Sequence, residues 1–244
     1  MPDYPLNRFK DIAALTPGEI EMLQTLGDPP VRVRRYGTIR REGEAVKGIY
    51  LMVEGWAGAS ILLPSGLRQI AKLHLPGDML GTPSMSLTHA ADTLVALTDC
   101  TVAFVPMARL RTLFETSPRL MAPFLAAVQY ERVALMDIIA LMGRTSARER
   151  YATFLVDVHD RLTRAGLAQP DRFELPLTQE QIGDLLGLTT VHTNRTVRML
   201  EREGVIARQG SLLILRDPTA IRRMSPLPKR APAFELDWFP STKG

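Results

Sequence analysis

Leu177 to Gly204 read LTQEQIGDLLGLTTVHTNRTVRMLEREG, two short amphipathic segments around a glycine turn, and the fold turns on this stretch. Thr178 offers a hydroxyl N-cap and Gln181 stands three residues later, the spacing of a capping box in which each satisfies an orphan backbone donor. The first helix therefore starts at Thr178. Its apolar residues Ile182, Leu185 and Leu186 share one face, and Gly187 follows where a left-handed residue is easiest to accommodate. The chain turns through Leu188. Thr189 caps a second helix whose buried stripe is Thr193, Val197 and Leu200, and Gly204 stops it.

The opposite face of that second helix carries Thr190, Val191, Asn194, Arg195, Arg198 and Arg202, the first four near the N-terminus, which is where a recognition helix meets base edges. A guanidinium can donate two parallel bonds to guanine O6 and N7, so Arg195 is the expected base reader, and the Asn194 amide offers a similar fork to adenine. Arg198 and Arg202 lie further along and are suited to phosphates, which set position without reading sequence. With the caps and His192 included, the candidate DNA contacts are Thr178, Thr189, Thr190, Val191, His192, Asn194, Arg195, Arg198 and Arg202.

These residues resemble the CRP/FNR superfamily of bacterial transcription regulators, whose recognition helix ends in R-x-L-x-x-x-G, matched by Arg198, Leu200 and Gly204. Val205-Ile206-Ala207-Arg208 and Leu212-Leu213-Ile214-Leu215, split by Gln209-Gly210-Ser211, read as a hairpin, which the resemblance makes the wing of a winged helix-turn-helix. Many members of the family carry a base-reading Glu where this chain has Val191, which implies a different half-site. The segment Val191-His192-Thr193-Asn194-Arg195 resembles a proteobacterial sub-group.

Residues 31 to 106 are short β-rich runs punctuated by Gly43, Gly55, Gly66, Gly77 and Gly81, the spacing of a small barrel or jelly roll. REGEAVKGIYLMVEGWA and HLPGDMLG resemble the superfamily's cyclic-nucleotide-binding fold, so the likeness runs from Phe9 to Leu215. In nucleotide-binding members a Glu after the barrel glycine holds the ribose and an Arg-Ser pair holds the phosphate. Here Gly81 is followed by Thr82, and Ala91-Asp92 stand in the phosphate place. A carboxylate there repels phosphate, and no basic residue lies between Lys72 and Arg109, so cyclic AMP is disfavoured. Gly81, Thr82, Ala91 and Asp92 remain the candidate effector pocket, for a small apolar or anionic ligand or for none. An iron–sulfur cluster held by four thiolates is not expected from a chain whose sole cysteine is Cys100. Cys100 lies in a strand-like run and reads as a small buried hydrophobe. His74 and His89 lack a companion motif, so haem is disfavoured as well.

From Pro118 to Met142 the chain reads as a long apolar helix, interrupted near its start by Pro123. Met121, Val128, Leu135 and Met142 recur every seven residues, with Leu125 and Ile139 four after two of them, a 3.5-residue seam along which two copies could zip. Arg132 falls on that seam and would need a partner such as Glu131 or Asp137 of the other copy. Two-fold symmetry would double the contacts of a lone helix-turn-helix and imply a palindromic site. Gly143 reads as a hinge, after which Thr145 or Ser146 caps a helix burying Tyr151, Phe154, Leu155, Val158 and Leu162.

The expected class is therefore α+β, with an N-terminal barrel or jelly roll of cyclic-nucleotide-binding type (1–117), a dimerisation helix and hinge (118–143), a winged helix-turn-helix (144–216) and a Pro-rich extension (217–244). That extension reads as irregular, although Phe234, Leu236, Trp238 and Phe239 are apolar enough to dock. A 45% apolar composition suffices for two modest cores. No apolar run is long enough to span a membrane and the N-terminus lacks a secretion signal, so the expected location is the cytoplasm. Net charge +4 favours a polyanionic partner. Phosphate loops, nucleophile elbows and metal-ligand spacings are absent from the sequence, so no enzyme is expected. The expected partners are double-stranded DNA, a second copy and RNA polymerase. Two other outputs fit the same motifs: a regulator controlled by its abundance, and a sensor that acts through a protein partner.

Overall fold

A computed structural model describes residues 4–228, 230, 233 and 234. The described residues fall into two compact units, one within Met1–Ile61, Lys72–Ala134 and Arg230–Gly244, the other within Leu62–Ala71 and Leu135–Lys229.

In the first unit, helices α1 (Asn7–Lys10) and α2 (Pro17–Gln24) precede strands β1 (Val31–Val33), β2 (Thr38–Arg40), β3 (Gly48–Glu54), β4 (Ala57–Leu62), β5 (Arg68–His74), β6 (Met79–Leu80), β7 (Thr93–Ala96) and β8 (Cys100–Pro106). Two four-stranded sheets result, ordered β1-β8-β3-β6 and β2-β7-β4-β5. Pairing is antiparallel, with Ile49 opposite Val105 and Ala57 opposite Ala96. This is the jelly-roll arrangement anticipated above. The two-residue period of a strand explains how β3 and β8 hold it together. Ile49, Leu51 and Val53, with Ala103 and Val105, point to a core shared with Phe9, Leu23, Leu110 and Leu120. Met52, with Cys100 and Val102, points to the inter-sheet core of Leu80, Leu94 and Ala96. Cys100 is 2% exposed, and burial, reinforced by the Asp99 carboxylate, pushes its thiol up to about 11.

After α3 (Met107–Thr116) and one 3-10 turn, α4 (Met121–Arg144) runs unbroken. Pro123 does not interrupt it, because the residue sits in the first turn, where the backbone N–H it lacks would have had no intrahelical acceptor. Nor does the helix break at Gly143. It continues to Arg144, and the break falls at Thr145–Ser146, where Ser146 and Glu149 form a capping box.

In the second unit α5 (Ala147–Arg164) is the central helix, followed by β9 (Arg172–Glu174), α6 (Gln179–Leu186), α7 (Thr190–Arg202), β10 (Ile206–Gln209), β11 (Leu212–Leu215) and α8 (Pro218–Met224). The anticipated wing hairpin gains a third strand, since β11 pairs with both β10 and β9. Three residues are too short for a periodic signal, which hides β9 in the sequence. The start of the C-terminal extension is helical rather than irregular. Asp217 accepts a bond from the Ala220 N–H at 2.8 Å, Pro218 occupies the first turn, and Ile221 is fully buried. Arg222 of α8 binds Asp160 of α5 through both guanidinium nitrogens. Phe234 is exposed; Leu236, Trp238 and Phe239 lie outside the described residues.

His159, on α5, is 6% exposed, and its Nε2 lies 2.9 Å from the Gln169 carbonyl. The Asp160 carboxylate, 3.8 Å from Nδ1, raises its pKa, and the Gln169 carbonyl adds to this against burial and the Arg222 charge. A histidine raised above its unfolded value of about 6.5 contributes stability that is complete below that pH and is lost as pH rises through the folded value. Calorimetry between pH 6 and pH 8.5 should therefore show the melting temperature falling by a few degrees more in the wild type than in His159→Gln. Equal slopes would remove this residue as a source of pH dependence.

Candidate nucleic-acid interface

Three hydrogen-bonded caps place the α6–α7 pair. The Thr178 hydroxyl accepts from the Gln181 N–H at 3.1 Å while the Gln181 side chain accepts from the Thr178 N–H at 2.9 Å. Gly187, at φ 62°, closes α6, and the Thr189 hydroxyl accepts from the His192 N–H at 3.2 Å to open α7. Thr193, Val197 and Leu200 are each fully buried, and Thr196 joins that side at 5%. Gly183 makes the close crossing feasible: a Cβ there would come within 2.6 Å of the Leu188 carbonyl oxygen and 3.3 Å of the Thr193 hydroxyl. The sequence signal for Gly183 is a helical glycine facing a turn, which reading for periodicity passes over. Arg150 of α5 then donates to the Leu186 carbonyl at 2.9 Å and satisfies the C-terminal end of α6.

With that side buried, Thr189, Thr190, Val191, His192, Arg195, Arg198 and Arg202 are exposed, while Asn194 and Thr178 are half-buried. No ion pair holds Arg195, Arg198 or Arg202 among the described residues. The nearby carboxylates are engaged elsewhere: Arg208 binds Glu201 at 2.8 Å and Arg148 binds Glu203 at 2.5 Å. The first turn of α7 contains no acidic residue, so nothing offsets the positive end of its dipole. The face is a one-signed surface of donors suited to a polyanion.

In the first unit, Gly81 adopts φ 81° and Thr82, Ser84 and Asp92 are buried. The sequence gap in basic residues is filled from a distant strand. Arg40 of β2, 4% exposed, binds Asp92 at 2.5 Å and Ser84 at 3.3 Å, and the Ala91 N–H donates to the Ser84 hydroxyl at 3.2 Å. Gly81, at φ 81°, holds a backbone conformation that favours glycine, and a Cβ there would lie 2.6 Å from the Arg40 Nη1. The Asp92 carboxylate therefore stands where an anion would compete for the same cation. Arg40 escapes sequence reading because partners 52 residues apart leave no local pattern. Thr82 donates to Glu131 of α4 at 3.0 Å, and Lys72 pairs with the same carboxylate. Glu131 thus has two partners within the chain. His74 is buried and His89 lies beside Thr88; the described residues contain no cluster of three or more His, Cys, Asp or Glu able to hold a metal.

Along α4, Met121, Leu125 and Ile139 are exposed at 53%, 48% and 70%. Val128, Leu135 and Met142 are half-buried, Val128 against the core of the first unit. Met142 lies near the α6 C-cap, its sulfur 3.9 Å from where a Gly187 Cβ would be. No helix among the described residues is long and apolar enough to cross a membrane.

Comparison with known proteins matches the two halves separately. Residues 30–117 match the cyclic nucleotide-binding domain model and residues 149–224 the Crp-like helix-turn-helix domain model. The transcriptional activatory protein AadR of Rhodopseudomonas palustris is 36% identical over 70% of this chain and 72% of its own length. The nitrogen fixation regulation protein FixK of Bradyrhizobium diazoefficiens is 34% identical over 77% and 78%. Among solved structures, FixK2 from Bradyrhizobium japonicum superposes with TM-score 0.74 at 28% identity, covering 82% of this chain and 98% of that one. A CRP-family regulator from Thermus thermophilus shares the fold with TM-score 0.65 at 22% identity, covering 80% and 96%. With both of its domain models matched and relatives above 30% identity along most of its length, the chain belongs to the CRP/FNR family of DNA-binding transcription regulators.

Proposed function

We propose that this protein regulates transcription in the cytoplasm as a homodimer on a palindromic DNA site, with α7 of each copy in a major groove. The observation that carries this reading is the unpaired set Arg195, Arg198 and Arg202 on the exposed side of a helix whose other side is buried. Arg195 reads a base pair. Arg198 and Arg202 meet phosphates, as do the exposed hydroxyls of Thr189 and Thr190, and Asn194 and His192 line the approach. The Thr178 hydroxyl, engaged in its cap, contributes mainly by holding α6.

The seam of Met121, Leu125, Val128, Leu135, Ile139 and Met142 pairs the two copies. Its support is the exposure of Met121, Leu125 and Ile139, large apolar groups that a single copy leaves in water. We also propose that cyclic AMP is not the effector, because Asp92 occupies Arg40 and Thr82 is bonded to Glu131. With a single cysteine, control by a four-thiolate iron–sulfur cluster is set aside too. Gly81, Thr82, Ala91 and Asp92 then act as a closed, structural counterpart of a ligand pocket.

Selection of sites from a random DNA pool by the purified protein should return a two-fold-symmetric sequence with half-sites about one helical turn apart. The same selection with Arg195→Ala should lose preference at one position per half-site, weakening binding to the wild-type site about tenfold or more. An unchanged motif would remove Arg195 as a reader. Ile139→Asp should convert the protein to a single copy in sedimentation at micromolar concentration and abolish high-affinity binding to the palindrome; retention of the double mass would place the pairing surface elsewhere.

A further inference from the structure

Val191 is 78% exposed, more than any other large apolar side chain among the described residues. Nothing in the fold accounts for it. The side chain belongs to no core, it stands in the first turn of α7 where the Thr189 cap already serves the backbone, and a β-branched residue is a mediocre helix former. It is also the sole apolar group on a face otherwise made of Thr190, His192, Asn194 and Arg195. An apolar group held out among donors is matched by one feature of the major groove, the C5-methyl of thymine, since every other edge there presents hydrogen-bonding atoms.

From this geometry we infer that Val191 is a specificity-determining residue that packs on a thymine methyl in each half-site. The inference rests on the reading of α7 as the helix that enters the groove. Val191 and Arg195 are four residues apart, a rise of about 6 Å, and successive bases of one strand are about 3.4 Å apart. The thymine therefore lies one to two base pairs from the pair read by Arg195. The methyl contact excludes water from both apolar surfaces, and a cytosine or a guanine at that position would leave a polar edge against the valine.

The test uses the full chain and the duplex it selects, with each thymine replaced in turn by deoxyuridine, which removes the methyl group alone. For the wild type, replacement at one thymine per half-site should weaken binding about fourfold per half-site, the factor expected for one buried methyl group. Val191→Ala should bind the thymine site more weakly by a similar factor and be less sensitive to deoxyuridine at that position, with an unchanged dependence on salt. At 78% exposure the substitution leaves the core intact, and the circular dichroism melting curve verifies this. Indifference of the wild type to every replacement, a selected half-site without thymine near the Arg195 position, or undiminished methyl sensitivity in Val191→Ala would each overturn the inference while leaving groove binding intact. Failure of the wild type to select any site would overturn groove binding itself, and this inference with it.

Discussion

Everything proposed for the DNA-facing surface depends on the crossing of α6 and α7. The absence of a side chain at Gly183 lets the Leu188 carbonyl and Thr193 approach, and the fully buried Thr193, Val197 and Leu200 lock the rotation of α7 about its axis. A helix turns about 100° per residue, so rotational freedom of even half that would carry Arg195 away from the exposed side. The buried stripe therefore decides which chemistry the helix presents. Its hydroxyls are no liability there, because Thr193 and Thr196 donate to the Thr189 and His192 carbonyls one turn back at 3.0 and 2.9 Å.

The first unit carries charge inside its sheet sandwich by pairing it internally. Gly81 holds the left-handed conformation of a tight turn, and the Arg40 guanidinium lies beside it. Arg40, Asp92 and Ser84 form a buried ionic cluster, and Glu131 ties Thr82 and Lys72 to α4. Burying charge without such mutual pairing would be costly.

Much of this is legible in the sequence, and what is hidden shares one property. The caps at Thr178, Thr189 and Ser146, the turn at Gly187, the stripe on α7 and the wing hairpin are set by residues within a few positions of each other, and the structure has them where local chemistry puts them. Arg40 with Asp92, Arg150 with the end of α6, and β9 beside β11 join residues far apart in sequence or too few to make a pattern. Where sequence reading overreaches, it weighs residue type above position. Pro123 reads as an interruption, yet a proline in the first turn is compatible with one continuous helix. The extension reads as irregular from its prolines, although Asp217 and Pro218 together make a good helix start.

The placement of Cys100 governs how two copies can become linked. The only sulfhydryl in the chain is sealed between the sheets, held as the protonated thiol at neutral pH and out of reach of peroxide or of another subunit. Folded material kept in air has no route to covalent cross-linking through sulfur. A reducible doublet on a denaturing gel would thus be a marker of opened barrels, and intact copies have no disulfide available to link them.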